Sequence, residues 1–592
     1  MQRLPEPGQQ PPSRPGSPKA GDLGFTPRPR VRWLAPAMLA RTGASVAVST
    51  LFGSFADRRE LERTESGDPL DLSEQPDAGE PFWLDYVADI GDGFDGAATV
   101  ASQLAAERLE LSGEHGTHHT QAGTLLIMGG DEAYPVASAA NYNDRLVGPY
   151  RSMLPWTDRP RWLVALPGNH DWYDGLTSFL RQFCQQRWIG GWKTEQTRSY
   201  FAVKLPHGWW LWGIDVALGD DLDEPQLDYF RDMATRVQPD ESIILCWAMP
   251  SWVESGPDNP EGYAPLEYFE RTVVPDRAML RLSLSGDLHH YARYQGQDAA
   301  GQQKITAGGG GAYLYPTHHL PETLSLPPEQ SQDLNKHAPV PYQLQRRYPD
   351  AATSKRLRPG ILGAVFRSPK FWAVPAVLYL LLGAAIGKAL PRLGRSHWVA
   401  LDVPGLVLAI LLAGAVWLGL TAFTGQGGER HAALGRWVGL LHTVLHLVVV
   451  VVTVILGQLA GRALGVSSEP RSVAVALLCG VVGALLGPLV VALYLLLADR
   501  IGPRGVNTDE LFSAQGIQDY KCFLRLRIAA DGTLTVFPVK VQRAAHWEFT
   551  RPDQVTEDRR WFHPADGVEP VSELIEPPIT IAKRPTPLPP TT

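Results

Sequence analysis

The sequence predicts an α/β layered domain, a block of four membrane-spanning helices and a small C-terminal β segment. Three observations carry this. Between residues 80 and 320, apolar runs alternate with helical stretches such as "GAATVASQLAAERLEL", and the runs stop at polar residues that mostly follow a glycine. Between 371 and 498 the chain is almost continuously apolar. Beyond it, "YKCFLRLRIAADGTLTVFPVKVQRAAHWEF" alternates apolar and polar residues around an Asp531-Gly532 turn, a hairpin signal.

The chain has 592 residues, room for roughly three or four folded units. Its apolar content of 44% and charged content of 20% suit a folded protein, and a net charge of −8 gives no electrostatic case for nucleic acid as a partner. Cys184, Cys246, Cys479 and Cys522 are scattered without a CxxC pair. That spacing argues against a disulfide framework and a zinc ribbon, and fits a reducing compartment.

In chain order, residues 1–30 carry eight prolines and almost no large apolar side chains, the composition of a disordered tail without the layout of a secretory signal. The segment 31–56 is apolar but holds Arg41 and Pro36, so an amphipathic surface helix is expected there rather than a fifth span. The globular domain is expected to run from 31 to 345. The stretches 371–390, 399–423, 437–461 and 472–498 each approach or exceed the ~20 apolar residues that cross a bilayer. An even number of spans leaves both flanks on one side. Arg346, Arg347, Lys355, Arg356, Arg358, Arg367 and Lys370 precede the first span, more positive charge than the opposite loops carry. The positive-inside rule then predicts a multi-pass protein of the cell (plasma or inner) membrane with both soluble parts cytoplasmic. His442 and His446 share one face of the third span, and interhelical hydrogen bonding is expected of them. A β segment over 505–562 is expected to pack on the soluble domain, followed by a Pro-rich tail over 563–592.

The chemistry gathers where the apolar runs end. "FWLDYVADIGDGFD" stops at Asp89, "TLLIMGGDEAY" at Asp131, "RWLVALPGNHD" at Asn169, His170 and Asp171, and "LRLSLSGDLHHY" at Asp287, His289 and His290. In α/β sheets ligands bind beyond the carboxyl ends of the strands. Glycine before the polar residue permits the tight turn that lets neighbouring strand ends converge. Carboxylate, amide and imidazole donors without thiolates suit manganese, iron, zinc or magnesium, and a pair of such ions can clamp a phosphoryl group and activate water.

Asp89-Ile90-Gly91, Gly130-Asp131, Gly168-Asn169-His170-Asp171 and Gly286-Asp287-Leu288-His289 resemble, in order and spacing, the motifs of the calcineurin-like metallophosphoesterases. The whole layout is similar to a membrane-attached branch of that superfamily known from bacteria and plants. The resemblance covers roughly 80–320 and implies a four-layer β-sandwich flanked by helices. It implies that Asp89 and His289 bind a first metal, that Asp131 bridges two, and that Asn169 binds the second. It also implies that His170 stabilises the transition state or protonates the leaving group, with Asp171 orienting its ring.

The pattern departs from the family in three places. Gly91 and Asp287 stand where histidines are usual, and "ESIILCWAMPSWV" supplies no histidine near Trp247 or Ala248. Asp287 can serve as an oxygen ligand, and the harder donor set favours manganese or magnesium, manganese first. His290, and His318 in the glycine-rich "GGGGAYLYPTHHLP", are candidates to touch substrate. "GEHGTHH", with His115, His118 and His119, is expected to be a solvated connection.

These readings imply a metal-dependent phosphoric ester hydrolase. Metal-activated hydroxide would attack a phosphate mono- or diester, with the lipid bilayer as anchor; the spans suggest a substrate at the bilayer, and nucleotides and phosphoproteins stay open beside it. The alternative is a catalytically impaired relative that binds a phosphorylated ligand as a sensor or scaffold.

Overall fold

The computed structural model describes residues 23–38, 67–75, 79–114, 116–159, 161–216, 222–256, 259–298, 301–331, 338–389, 403–424, 428–502, 504–550 and 560–584. Most of the 31–56 segment lies outside them. The chain divides into two compact units: the described residues of 1–31, 42–351 and 516–592 form one, and those of 32–41 and 352–515 the other.

The first unit is mixed α/β, built on two large sheets. In one, the strands Phe82–Val87, Leu125–Met128 and Arg161–Ala165 run parallel, and Lys521–Ile528 and Leu534–Val541 continue the sheet antiparallel beside Phe82–Val87. In the other, Trp209–Ile214, Ser242–Trp247, Met279–Ser285 and Gln303–Ala307 run parallel. Successive side chains of a strand point to opposite faces, and the burial follows that period. Leu84, Tyr86 and Leu524 pack with Leu211, Ile244 and Leu282 in a core between the sheets. Trp83, Val87 and Phe523 instead join Ala98, Ala101 and Leu104 of the helix Phe94–Ala105. On the far side Trp210, Trp212, Ile243 and Leu245 join Leu227, Phe230 and Met233 of the helix Glu224–Arg236. Both faces of each sheet are therefore covered, in a helix, sheet, sheet, helix order. That is why these strands read as continuous apolar runs.

Two boundaries differ from the sequence expectation. Residues 23–30 do not belong to a free tail. Phe25 packs against Phe94, and Arg28 Nε donates to Asp144 Oδ2 at 2.8 Å, so one aromatic and one charge anchor a proline-rich segment. The C-terminal β segment joins the soluble unit, as expected, but begins at 516 rather than 505. It belongs to the unit from 516 onward, and its strands Lys521–Ile528 and Leu534–Val541 are interior to the sheet. The supposed tail pairs with it through Ser572–Leu574 and Ile579–Ile581. The "GEHGTHH" stretch falls on an exposed hairpin, Arg108–Gly113 with Gly116–Gln121; His118 and His119 lie on its second strand, and His115 is outside the described residues.

Among its described residues the second unit holds four helices long and apolar enough to cross a membrane, with spans at Pro369–Lys388, Val403–Thr421, Arg436–Ala463 and Ser468–Ala498. Glycine lets the first and fourth approach closely. A side chain at Gly483 would collide with the Pro375 carbonyl and Tyr379, and one at Gly487 with the Pro375 ring. The expected interhelical bond is present, with His446 Nδ1 2.8 Å from Tyr379 Oη on the first long helix; within the third, His446 Nε2 lies 3.1 Å from His442 Nε2.

Candidate metal centre

The parallel strands of both sheets deliver their polar ends to one place. Asp89 follows Phe82–Val87, Asp131 follows Leu125–Met128, Asn169 follows Arg161–Ala165 and Asp287 follows Met279–Ser285. Asp89, Asp131 and Asp287 all have left-handed backbones, with φ of 61°, 57° and 63°. Non-glycine residues occupy that region seldom, and aspartate is among the few that tolerate it. Three of them meet at this one site. Gly286 is needed for the same convergence, because a Cβ there would lie 2.6 Å from Asp89 Oδ2.

At the centre stands a residue that sequence reasoning missed. Tyr134 Oη lies 2.9 Å from Asp131 Oδ2, 3.1 Å from Asp89 Oδ1 and 3.0 Å from His289 Nε2. His289 Nδ1 is 2.8 Å from the Tyr313 carbonyl, to which it donates, so Nε2 carries the lone pair. One phenolic hydrogen thus faces three acceptors. The signal was available: Tyr134 follows Asp131 by three residues in "GDEAY". A Cβ at Gly91 would strike the Glu132 carbonyl, and Tyr134 N bonds the Gly91 carbonyl at 3.0 Å.

The electrostatics are those of crowded acids. Burial raises the Asp89 carboxyl well above its ordinary range, with Asp131 and Asp287 adding to it; burial, then Asp171, pushes Asp131 up to about 8. Burial holds the His289 imidazole neutral, helped by Lys521. Two acids and a neutral imidazole each approach the Tyr134 hydroxyl oxygen, and carboxylate, phenol and imidazole are all donor types that bind metal ions. The donor set therefore fits a metal ion.

Beside it is a cavity of about 120 Å³ whose lining includes Asp89, Asp131, Asn169 and Asp287, and on the other wall Trp247, Ala248 and Met249. Asp287 N also donates to Asp89 Oδ2 at 2.9 Å, tying the two strand ends together.

His170 sits at the rim, its N–H donating to Asp131 Oδ1 at 3.0 Å and its ring 4.4 Å from that of Tyr134. The expectation that Asp171 orients this ring is corrected. His170 Nδ1 is 2.7 Å from the Pro135 carbonyl. Asp171 is buried beneath and accepts from Gly168 N at 2.9 Å, Glu132 N at 3.2 Å and the Tyr142 hydroxyl. It pins the turn that presents Asn169 and His170. Of the two substrate candidates, His290 is buried, only 1% exposed, and the His318 ring lies tilted against that of His319 with centroids 4.3 Å apart. His289 and His290 lie in the bend between the strands Met279–Ser285 and Tyr291–Gly296, and it is His289 Nε2 that reaches the Tyr134 hydroxyl, at 3.0 Å.

No family model and no curated protein matches the chain.

Proposed function

We propose that the chain is a membrane-anchored, metal-dependent phosphoesterase, hydrolysing a phosphate mono- or diester. The observation that carries the reading is the convergence of Asp89, Asp131 and His289 on the Tyr134 hydroxyl. Tyr134, as phenolate, would be the fourth donor to a first metal ion, and Asp131, Asn169 and Asp287 would hold a second. Metal ions bound there would supply positive charge for the phosphoryl transition state and activate the attacking water. His170, turned by the Pro135 carbonyl, would protonate the departing alkoxide from the rim. Asp171 would keep the Gly168–His170 turn in place. Manganese remains the favoured ion, and a phenolate donor brings iron beside it. The surplus of basic residues flanking the spans supports a cytoplasmic placing of the soluble unit.

Metal content of the purified protein, and hydrolysis of generic mono- and diesters with added manganese, test the proposal. Turnover lost in Asp131→Ala supports it. Bound metal without turnover on a broad ester panel would favour the second reading, a phosphate-ester binding module. The apolar wall of Trp247, Ala248 and Met249 supports that second reading, because it leaves the second position short of ligands.

A further inference from the structure

We propose that the helical unit binds one anionic phospholipid in a groove between its third and fourth long helices. The inference rests on that unit alone and is independent of the chemistry assigned to the metal centre. The groove measures about 460 Å³, and its walls include Leu445 and Val448 on the third helix and Val490 and Leu493 on the fourth. Val448 and Leu493 are 53% and 45% exposed, so the groove opens outward from the helices. Arg358 and Arg500 stand at one end.

The two ends of the groove ask for different chemistry. Arg358 Nη1 bonds Asp499 Oδ2 at 2.7 Å, which offsets one positive charge. Arg500 is exposed, and among the described residues no carboxylate lies within 4.0 Å of it. Two guanidiniums and one carboxylate leave a single positive charge, matched by one phosphodiester. Guanidinium also binds phosphate oxygens in a geometry that ammonium cannot.

Length agrees. From Val490 to Arg500 the helix and its end rise about 15 Å at ~1.5 Å per residue, half of the ~30 Å hydrocarbon core. An acyl chain of one leaflet would lie along the apolar wall while its phosphate reached the arginines. An apolar helix in the same groove would leave Arg500 without a counter-charge, and a free phosphate would leave the apolar wall uncovered. A basic pocket between membrane helices is the setting in which anionic headgroups are recognised.

The test uses the full-length protein, purified in detergent and exposed to phosphatidylglycerol or phosphatidylcholine of identical acyl chains. Native mass spectrometry then counts retained lipid. One phosphatidylglycerol per chain should be held in preference to phosphatidylcholine. Arg500→Gln should weaken retention on the order of tenfold, and Leu493→Trp, which fills the groove, should also reduce it. Circular dichroism establishes that both variants keep their helices, and Arg500→Lys should retain lipid better than Arg500→Gln. Equal retention of the two lipids would overturn the proposal. So would wild-type retention by both Arg500→Gln and Leu493→Trp, or full displacement of the lipid by inorganic phosphate.

Discussion

Arg525 Nε lies 2.8 Å from Asp85 Oδ1, joining two buried residues 440 positions apart in the chain. Asp85 is on the strand Phe82–Val87 and Arg525 on its antiparallel neighbour Lys521–Ile528, where the two are register partners. The pair therefore reports whether the segment that follows the membrane helices has returned to complete the sheet. A guanidinium so enclosed needs its partners, and it also reaches Thr120 Oγ1 and the Gln103 carbonyl, each at 3.4 Å.

Removing one member of this pair leaves the other as an uncompensated buried charge. Asp85→Ala or Arg525→Ala is expected to cost about 3–5 kcal/mol, while a double replacement by apolar residues of similar volume should cost much less. Urea unfolding of the three variants checks this. Equal losses in single and double variants would show that packing, rather than charge, dominates.

Tyr134→Phe removes one oxygen and nothing else from the centre. The variant should fold, bind metal at least about tenfold more weakly and lose activity in proportion. Metal analysis after dialysis reads the first effect. If iron occupies the site, a visible charge-transfer band present in the wild type should vanish with the hydroxyl.

His170→Ala should separate chemistry from metal binding. Turnover is expected to fall on the order of 10²–10⁴-fold with metal content unchanged. Asp171→Ala should reduce both, because the Gly168 and Glu132 N–H groups lose their acceptor and the turn carrying Asn169 loosens.

Lys521 is buried and donates to the Ala312 carbonyl, and burial pushes its ammonium down to about 8. Between pH 8 and the unfolded value of 10.5 the unfolded chain binds the extra proton. Stability should therefore rise with pH across that window on account of this group. Comparing unfolding of wild type and Lys521→Met from pH 7.5 to 10 isolates the contribution, and parallel curves would refute it.

Gly487→Val places a side chain where the Pro375 ring packs. About 1–3 kcal/mol of helix–helix packing should be lost, visible as a lower thermal midpoint in detergent. Gly414→Ala, with no atom within 4 Å of its added Cβ, serves as the control.

Much of this molecule was legible without coordinates. Its four long apolar helices, the parallel strands and the strand ends at Asp89, Asp131, Asn169 and Asp287 all come from patterns a few residues long, because hydropathy period and glycine placement act locally. The sequence likewise determined that Gly91 carries no ligand. Tertiary structure decided which further group joins the strand ends: a hydroxyl three residues beyond Asp131 that meets Asp89, Asp131 and His289. It also decided that Asp171 holds a turn rather than a histidine ring, and that His290 is buried. The same holds for the centre of the first sheet, completed by Arg525 from 440 residues downstream. Such outcomes depend on which distant groups compete for the same small volume, and close packing and buried charge settle that competition after the chain has closed upon itself.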